Sequence, residues 1–411
     1  MAASGVTSRS RLRRLHERIA LRGRETGITH LRLDRHERGG AVVEIEGRRL
    51  LNFGICSYLA MNTHPEVVEA AVRAVKEVGV NYSSSAAYSA VGLFRGLEDA
   101  LSDMTGCQVV LAPTTTLAHM AALPVLVEPD DLVLVDSRAH ASLHMTADLL
   151  RGEGHQVELL DHHDFVRLER ELVSTEGRVW YVTDGVYSMG GEILPIEPLL
   201  RLFRTHANLH LYLDDAHGFS WTGRHGRGYV LERIGPDPRL VVAVSLSKSF
   251  GAAGGAVLVS DPGTADRIEM VGGPLTFGGP LQIAELAAGV ASATVHLSAE
   301  HPERSARLLE QIDLVADTIS RLGLPAVSRR RTPIWLVELG STEQAAAVTA
   351  EMRHRGFYLN PAGYPAVPLG RAGVRFTHTL HHRDHEIVEM LEVLADVIGP
   401  TEKVVVNLES S

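Results

Sequence analysis

Residues 241–255 read Val-Val-Ala-Val-Ser-Leu-Ser-Lys-Ser-Phe-Gly-Ala-Ala-Gly-Gly. In a strand with one solvent-exposed face, polar and apolar residues alternate. The run Val241–Leu246 lacks this alternation, so it predicts a strand buried on both faces. Lys248 follows, beside small residues that let a planar ligand approach. Because ligands of open α/β sheets bind beyond the carboxyl ends of strands, Lys248 is a candidate nucleophile for a carbonyl, and Ser245 and Ser247 are candidate phosphate ligands. Taken alone, the segment is equally compatible with a surface lysine in a glycine-rich turn.

Other short apolar runs share this character, and helical segments separate most of them. The further predicted strands are Val109–Ala112, Leu132–Asp136, Val179–Thr183, Leu209–Asp214 and Ala256–Val259. The intervening helices include Leu117–Val127, Ser142–Arg151 and Ile196–Thr205. Strands that alternate with helices predict an α/β, doubly wound, mostly parallel sheet.

The pattern differs towards both ends of the chain. Residues 41–54 predict a hairpin around a glycine turn. After residue 283 the predicted elements are helices Ile283–Leu297 and Glu303–Leu322, strand Ile334–Glu338, helix Glu343–Arg355, loop Asn360–Arg371, strand Gly373–Thr377 and helix Asp384–Ile398. We therefore predict an N-terminal helix and hairpin segment at 1–50, a large α/β domain at 51–283 and a smaller α+β domain at 284–411.

Composition excludes several classes of protein. The 411 residues are 45% hydrophobic and 22% charged, which argues against a disordered chain. The net charge of −10 argues against a general nucleic-acid binder. Two cysteines, Cys56 and Cys107, exclude a disulfide framework and favour a cytoplasmic location. No apolar run is long enough for a transmembrane helix, and no secretory signal is evident, so we expect no membrane insertion.

The N-terminal segment is locally basic. The arginines concerned are Arg9, Arg11, Arg13, Arg14, Arg18, Arg22 and Arg24. They fit a solvated helix face or a patch for an anionic ligand or partner, and both interpretations stay open.

Polar residues follow three more of the predicted strands. Asp214 ends one strand and precedes Asp215 and His217; a carboxylate there can keep the nitrogen of a buried heterocycle protonated. His140 follows another strand and can stack on a ring or transfer a proton, and Ser188 follows a third. Each signal alone is weak, since acidic residues often cap loops and a loop histidine is often structural.

Together and in this order, the motifs resemble the fold-type I pyridoxal phosphate (PLP) enzymes, and within them the α-oxoamine synthase family. The resemblance runs from about Asn52 to His382. It implies that Lys248 forms the Schiff base with PLP and that Ser245 binds the phosphate. It places Asp214 on the pyridine nitrogen, His217 near the ring hydroxyl and His140 flat on the ring.

The resemblance also implies more peripheral contacts. Ser188 would touch the cofactor, and Thr115 and Thr116 would lie at the phosphate-binding helix start. Thr276 would reach the phosphate of a neighbouring subunit. Arg375, in a segment similar to the family's Arg-x-Arg-x-Thr strand, would hold the carboxylate of an amino acid. A catalytic set of Lys248, His140 and Asp214 follows from this assignment.

The activity that the resemblance implies is C–C bond formation. An amino acid would condense with an acyl thioester, carried by CoA or by a carrier protein, and lose CO₂ to give an α-amino ketone. A homodimer is expected, because family active sites lie at the subunit interface. Two departures, the loop Asn81–Ala86 and Gly190 in place of an aspartate, point to altered substrates and to specialised metabolism.

Other functions stay open. The altered loop is compatible with an aminotransferase or another carbanion-forming PLP enzyme. A non-catalytic binding homologue would require a dispensable Lys248. The histidine-rich stretches Asp161–Asp164 and His378–His385 do not match known zinc spacings, so we predict no metal site.

Overall fold

The computed structural model describes residues 17, 21, 23, 24, 27–85, 87–327 and 331–399. Most of the predicted N-terminal helix and its basic cluster lie outside these residues; Arg24 is described, and it is helical and exposed. The described residues form two compact units. One comprises those up to Ile55 together with those from Gln311 onward, and the other comprises Cys56–Glu310. The division predicted at residues 50 and 283 stays a prediction.

Strands and helices are numbered here in chain order. The strands are β1 Arg35–Glu37, β2 Val42–Ile45, β3 Arg48–Asn52, β4 Gln108–Ala112, β5 Leu132–Asp136, β6 Gln156–Leu160, β7 Val179–Asp184, β8 Leu209–Asp214, β9 Leu240–Ser245, β10 Gly255–Val259, β11 Ile334–Gly340, β12 Phe357–Tyr358, β13 Asn360–Ala362 and β14 Ala372–Thr377. The helices are α1 Pro65–Val78, α2 Gly92–Thr105, α3 Thr115–Leu126, α4 Ala141–Gly152, α5 Phe165–Ser174, α6 Ile196–Thr205, α7 Tyr229–Ile234, α8 Pro262–Val271, α9 Gly273–Phe277, α10 Ile283–Leu297, α11 Glu300–Leu322, α12 Thr342–His354 and α13 Asp384–Ile398.

The unit Cys56–Glu310 is built on a seven-stranded sheet. Its strand order is β4-β10-β9-β8-β7-β5-β6. Strands β6, β5, β7, β8 and β9 pair in parallel, and β10 runs antiparallel to both of its neighbours. This confirms the predicted mostly parallel α/β sheet. Strand β6 escaped prediction because it lies at the sheet edge, where Gln156 and Glu158 are exposed and no continuous apolar run is required.

Helices cover the sheet through small and branched apolar side chains. Helices α3, α4 and α8 bury Ala118, Leu143 and Ile268 in one cluster with the sheet residues Trp180 and Tyr212. Helix α10 packs against α1 and α2. None of the described helices has both the length and the apolar composition that crossing a membrane requires.

The other unit contains two smaller sheets. One has the order β1-β2-β3-β12, and the other is the antiparallel sheet β11-β14-β13. The predicted hairpin forms between β2 and β3 around Glu46 and Gly47, whose φ angles are 53° and 72°. Two-residue hairpin turns with positive φ at both residues are favoured, because their backbone twist matches the right-handed twist of the two strands. Strand β12 pairs in parallel with β3, so segments from both ends of the chain share this sheet.

A buried histidine on α10 makes the stability of the fold dependent on pH. His296 is fully buried; its Nδ1 donates to the carbonyl of Ser292 at 2.7 Å, and its Nε2 accepts from Ser220 Oγ at 2.8 Å. Burial, and next the charge of His301, lowers the pKa of His296 from 6.5 to about 3. The unfolded chain therefore binds more protons below pH 6.5, so stability is full above that pH and is lost as the pH falls.

At pH 5 this loss is about 2 kcal/mol for His296, at about 1.4 kcal/mol per pH unit below 6.5. The substitution His296→Asn is expected to lower stability at pH 7 and to reduce the further loss between pH 7 and pH 5. Thermal unfolding at both pH values measures this, with the exposed His36→Asn as the control. An unchanged pH dependence in His296→Asn would contradict the assignment.

Candidate active site

Polar residues end four adjacent strands of the large sheet. Asp136, Asp184, Asp214 and Ser245 are the last residues of β5, β7, β8 and β9, and all four are buried. These strands are contiguous and parallel, so their carboxyl ends lie along one edge of the sheet. A row of buried polar side chains therefore lies at the edge of the sheet where the sequence predicts a ligand crevice.

Asp214 is a buried, ionised carboxylate. Its Oδ1 accepts from the backbone N–H of Ala216 at 2.9 Å, and its Oδ2 lies 3.1 Å from His119 Nε2. Burial raises the pKa of Asp214, but the hydrogen bond and charge of His119, followed by the charge of Lys248, outweigh it and bring the pKa to about 2. An ionised carboxylate has about four lone-pair positions, so Asp214 can accept a further donor.

Asp184 is the neighbour of Asp214 across the parallel ladder. The two residues are paired in the register of β7 and β8. Burial, and next the negative charge of Asp214, raises the pKa of Asp184 well above its ordinary value. Its Oδ1 accepts from the backbone N–H of His140 at 2.9 Å, which fixes the start of α4 against β7. The pKa values of the two acids therefore move in opposite directions, which favours the ionised form of Asp214 and the neutral form of Asp184.

Lys248 lies in a tight turn between β9 and β10. Ser245 Oγ lies 3.0 Å from Ser247 Oγ and accepts from the backbone N–H of Ser247 at 3.3 Å. Gly251 has φ of 79°, and a Cβ there would come within 2.5 Å of Met61, so glycine is required for this turn. Lys248 itself is half-buried, and its positive charge acts on Asp214, Asp184 and His140.

His140 and His217 lie on two other turns at the same sheet edge. His140 is the exposed N-cap of α4, and its Nδ1 accepts from the backbone N–H of Ser142 at 3.3 Å. His217 is buried, with its Nδ1 2.8 Å from the hydroxyl of Tyr58. Sequence reasoning did not single out Tyr58, since no motif links it to a site 159 residues away.

The first turn of α3 lies beside the end of β9. Thr114 caps the helix by accepting from the backbone N–H of Leu117 at 3.1 Å. Thr115 Oγ1 donates to the carbonyl of Val244 at 3.3 Å, and Thr116 is half-buried. Unpaired N–H groups at the start of a helix attract anions, so this turn can bind a phosphate.

The remaining predicted site residues lie in three other segments of the chain. Ser188 is half-buried in the turn after β7. Thr276 lies on α9, and its carbonyl accepts from Ser85 Oγ at 2.7 Å, which links α9 to the segment 81–85. Arg375 is buried on β14 of the smaller unit, in register with Leu336 and Asn360.

Asp136, His162 and His163 place possible ligand atoms within 4.8 Å of one another. The carboxylate of Asp136 lies 3.0 Å from His162 Nδ1. It also accepts from the backbone N–H groups of Arg138 and His163 and from the hydroxyl of Tyr181. These donors occupy the lone pairs of the Asp136 carboxylate. The cluster is therefore a hydrogen-bond network that links β5 to β7. The absence of a metal site stays a prediction.

Comparisons with known proteins agree with this geometry. Residues 48–394 match the family described as aminotransferase class I and II. An 8-amino-7-oxononanoate synthase of Methylobacillus flagellatus is 32% identical over 90% of this chain and 92% of its own length. The enzyme of the same name from Stutzerimonas stutzeri is 33% identical over 87% of this chain and 90% of its own length.

Solved structures show the same fold. A serine palmitoyltransferase of Sphingomonas wittichii superposes with a TM-score of 0.85 at 24% identity, covering 96% of this chain and 98% of its own. An 8-amino-7-oxononanoate synthase of Francisella tularensis superposes with a TM-score of 0.69 at 19% identity, covering 84% of this chain and 97% of its own. The chain belongs to the aminotransferase class I and II family and, within it, to the α-oxoamine synthases that its motifs resemble.

Proposed function

We propose that this protein is a PLP-dependent acyltransferase that condenses an amino acid with an acyl thioester to an α-amino ketone. The observation that carries the proposal is the row of strand ends, where an ionised Asp214, a turn lysine and the His140 ring lie at one edge of the sheet. Relatives that are 32–33% identical over most of the chain are named 8-amino-7-oxononanoate synthase, and a neighbour in fold was solved with PLP.

The residues present fit PLP. Asp214 offers a buried anion to a protonated ring nitrogen, and it keeps lone pairs for that purpose. Ser245 and the α3 turn with Thr115 and Thr116 offer hydroxyl and N–H groups to a phosphate. Lys248 offers the amine. The chain has three lysines, and of the two that are described, Lys76 is exposed on α1.

Further residues complete the proposed binding site. His140 would stack on the ring, and His217, held by Tyr58, would face the ring hydroxyl. Ser188 and, in a homodimer, Thr276 from the neighbouring subunit would add further contacts. These roles come from the family resemblance, and the positions of the side chains support them.

When bound, PLP supplies an electron sink for negative charge at the α-carbon of the amino acid. The Lys248 amine would take the proton from that carbon and return one when the product forms, while Asp214 keeps the ring nitrogen protonated. The carbon attacks the acyl carbonyl, and the C–S bond breaks to release the thiol. Loss of the carboxyl group as CO₂ then leaves the α-amino ketone.

The experiment is to incubate the purified PLP-loaded protein with pooled amino acids and pooled acyl-CoAs. We expect thiol release that depends on the amino acid, together with a new ketone mass. Conversion of the cofactor to its amine form with a keto acid product, and no thiol release, would establish an aminotransferase instead. A carrier-protein thioester is the second acyl donor to include.

We also propose a homodimeric, cytoplasmic enzyme of specialised metabolism. The proposed role of Thr276 needs a second subunit, which analytical ultracentrifugation can test. Gly190 lies where the family has an aspartate, and the Glu192 carboxylate would be 3.3 Å from a Cβ at that position. Glu192 pairs with Arg138 at 2.9 Å, so the chain carries a different charged pair near the proposed site.

Arg375 is expected to set the affinity for the amino acid. A planar guanidinium binds a carboxylate through two parallel hydrogen bonds, which lysine cannot make. Arg375→Lys should raise KM for the amino acid about 10-fold and change kcat by less than about threefold, as one lost charged hydrogen bond predicts. Steady-state kinetics with varied amino acid measures this.

Arg371 supplies the matched control for that variant. It lies in the same unit and binds Glu338 through two hydrogen bonds of 2.7 and 3.0 Å. Arg371→Lys should leave KM for the amino acid unchanged. Equal KM values for the wild type and Arg375→Lys would remove Arg375 from the proposed site.

A further inference from the structure

We infer that His119, fixed by Tyr212, is a positioning residue that keeps Asp214 the ionised acid of the site. The inference rests on the proposed function of Asp214 towards a cofactor ring. The segment around His119 resembles the family's phosphate-binding turn, in which an asparagine stands at this position, so the resemblance assigns no such role to a histidine.

The side chains of Tyr212, His119 and Asp214 form one buried chain of hydrogen bonds. Tyr212 and Asp214 are two residues apart on β8 and therefore point to the same face of the sheet. His119 lies on α3, with Nδ1 3.0 Å from the Tyr212 hydroxyl and Nε2 3.1 Å from Asp214 Oδ2. His119 and Tyr212 are both 0% exposed. Solvent therefore cannot replace either contact.

The hydrogen bonds define how the imidazole of His119 is oriented. The Asp214 carboxylate only accepts, so His119 Nε2 carries a hydrogen and donates it. Burial, and next the charge of Asp214, raises the pKa of Tyr212 well above its ordinary value, so its hydroxyl keeps its hydrogen. Within the described part of the chain, no other hydrogen-bond partner of that hydroxyl is found. The contact of Tyr212 with Nδ1 holds the imidazole ring so that Nε2–H points at Asp214.

This arrangement decides which of two neighbouring acids is charged. Asp184 and Asp214 are buried side by side, and two such carboxylates do not both ionise easily. The Asp184 carboxyl accepts a backbone N–H of His140, whereas Asp214 accepts a backbone N–H and the imidazole N–H. The additional donor stabilises the charge on Asp214. Without His119, the proton on Asp184 would be shared between Asp184 and Asp214. A cofactor ring nitrogen would then lose its anionic partner.

The other charged and titratable groups around Asp214 come from every neighbouring element. They are Asp184 on β7, Asp215 after β8, His140 at the start of α4 and Lys248 after β9. Lys248 also lowers the pKa of Asp214, but it would be engaged with cofactor and substrate during turnover. His119 is fully buried and takes no part in the proposed reaction steps, so its contribution is constant.

The test uses the PLP-loaded full-length protein with PLP labelled by ¹⁵N in the pyridine ring. We expect the wild type to show the protonated ring nitrogen from pH 6 to pH 8. His119→Leu should shift the signal towards the unprotonated form within that range, weaken PLP binding about 10-fold and lower kcat at least about 10-fold. His119→Gln, which keeps an N–H donor near Nε2, should restore the protonated signal, whereas Tyr212→Phe should give an intermediate shift.

A second histidine–aspartate pair in the same unit, with a half-buried histidine, supplies the control. His162 Nδ1 lies 3.0 Å from Asp136 Oδ1, so His162→Leu removes a similar bond from a carboxylate that has no proposed contact with the cofactor. It should leave the ¹⁵N signal and PLP affinity unchanged. If His119→Leu keeps the protonated signal and PLP affinity within about threefold of wild type, the inference is wrong and the proposed function stands.

Two further outcomes are informative. If His119→Leu fails to fold, Tyr212→Phe carries the test, and an unshifted signal in that variant overturns the inference. If the wild-type protein forms no Schiff base with PLP, the proposed function fails first, and that result is separate from any effect of His119.

Discussion

Replacing Lys248 with alanine is expected to abolish turnover, with kcat/KM lowered about 10⁴-fold. A well-placed proton-transfer group contributes about 10²–10⁴-fold, and this residue would both hold the cofactor and move the proton. Thiol release measures the rate. The visible absorption band of the lysine-bound cofactor should also disappear from the variant.

The small number of lysines makes this prediction unusually easy to check. The chain has three of them, Lys76, Lys248 and Lys403. Borohydride reduction of the PLP-loaded protein should place the label on the peptide with Lys248. Lys76, exposed on α1, is the control, and Lys76→Ala should behave as wild type. A label on another lysine, or full thiol release by Lys248→Ala, would contradict the assignment.

Replacing Asp214 with asparagine is expected to lower kcat/KM by about 10²–10³-fold. Removing one preorganised electrostatic contact in a buried site has an effect of this size. An amide cannot hold a positive charge on a ring nitrogen, so the negative charge at the α-carbon would be less well stabilised. Rates of thiol release and the dissociation constant of PLP together measure the change.

The neighbouring acid is the matched control for that variant. The raised pKa of Asp184 favours its neutral carboxyl, and asparagine resembles a neutral carboxyl in shape. Asp184→Asn keeps an oxygen that can accept from the His140 N–H, and its activity should remain within about fivefold of wild type. If Asp184→Asn were as damaging as Asp214→Asn, the two acids would have been assigned the wrong charges.

Local sequence patterns were enough to predict the large sheet and the edge of it that carries the proposed site. The runs that became β5, β7, β8 and β9 are mostly apolar because nearly all of their side chains are buried. Lys248 follows one of those runs and Asp214 ends another, so their position at this edge of the sheet needed no long-range information. Strand β6 lacked that signal because an edge strand tolerates exposed polar residues.

Only the tertiary structure revealed which distant side chains meet. His119 contacts Asp214 across 95 residues, and Tyr58 contacts His217 across 159, although neither pair shares a motif. The opposite pKa shifts of Asp184 and Asp214 also depend on such contacts. In the sequence, two aspartates that end adjacent buried strands look equivalent. Burial periodicity is a local property of the chain, whereas the charge of a buried acid is decided by the donors that packing brings to it.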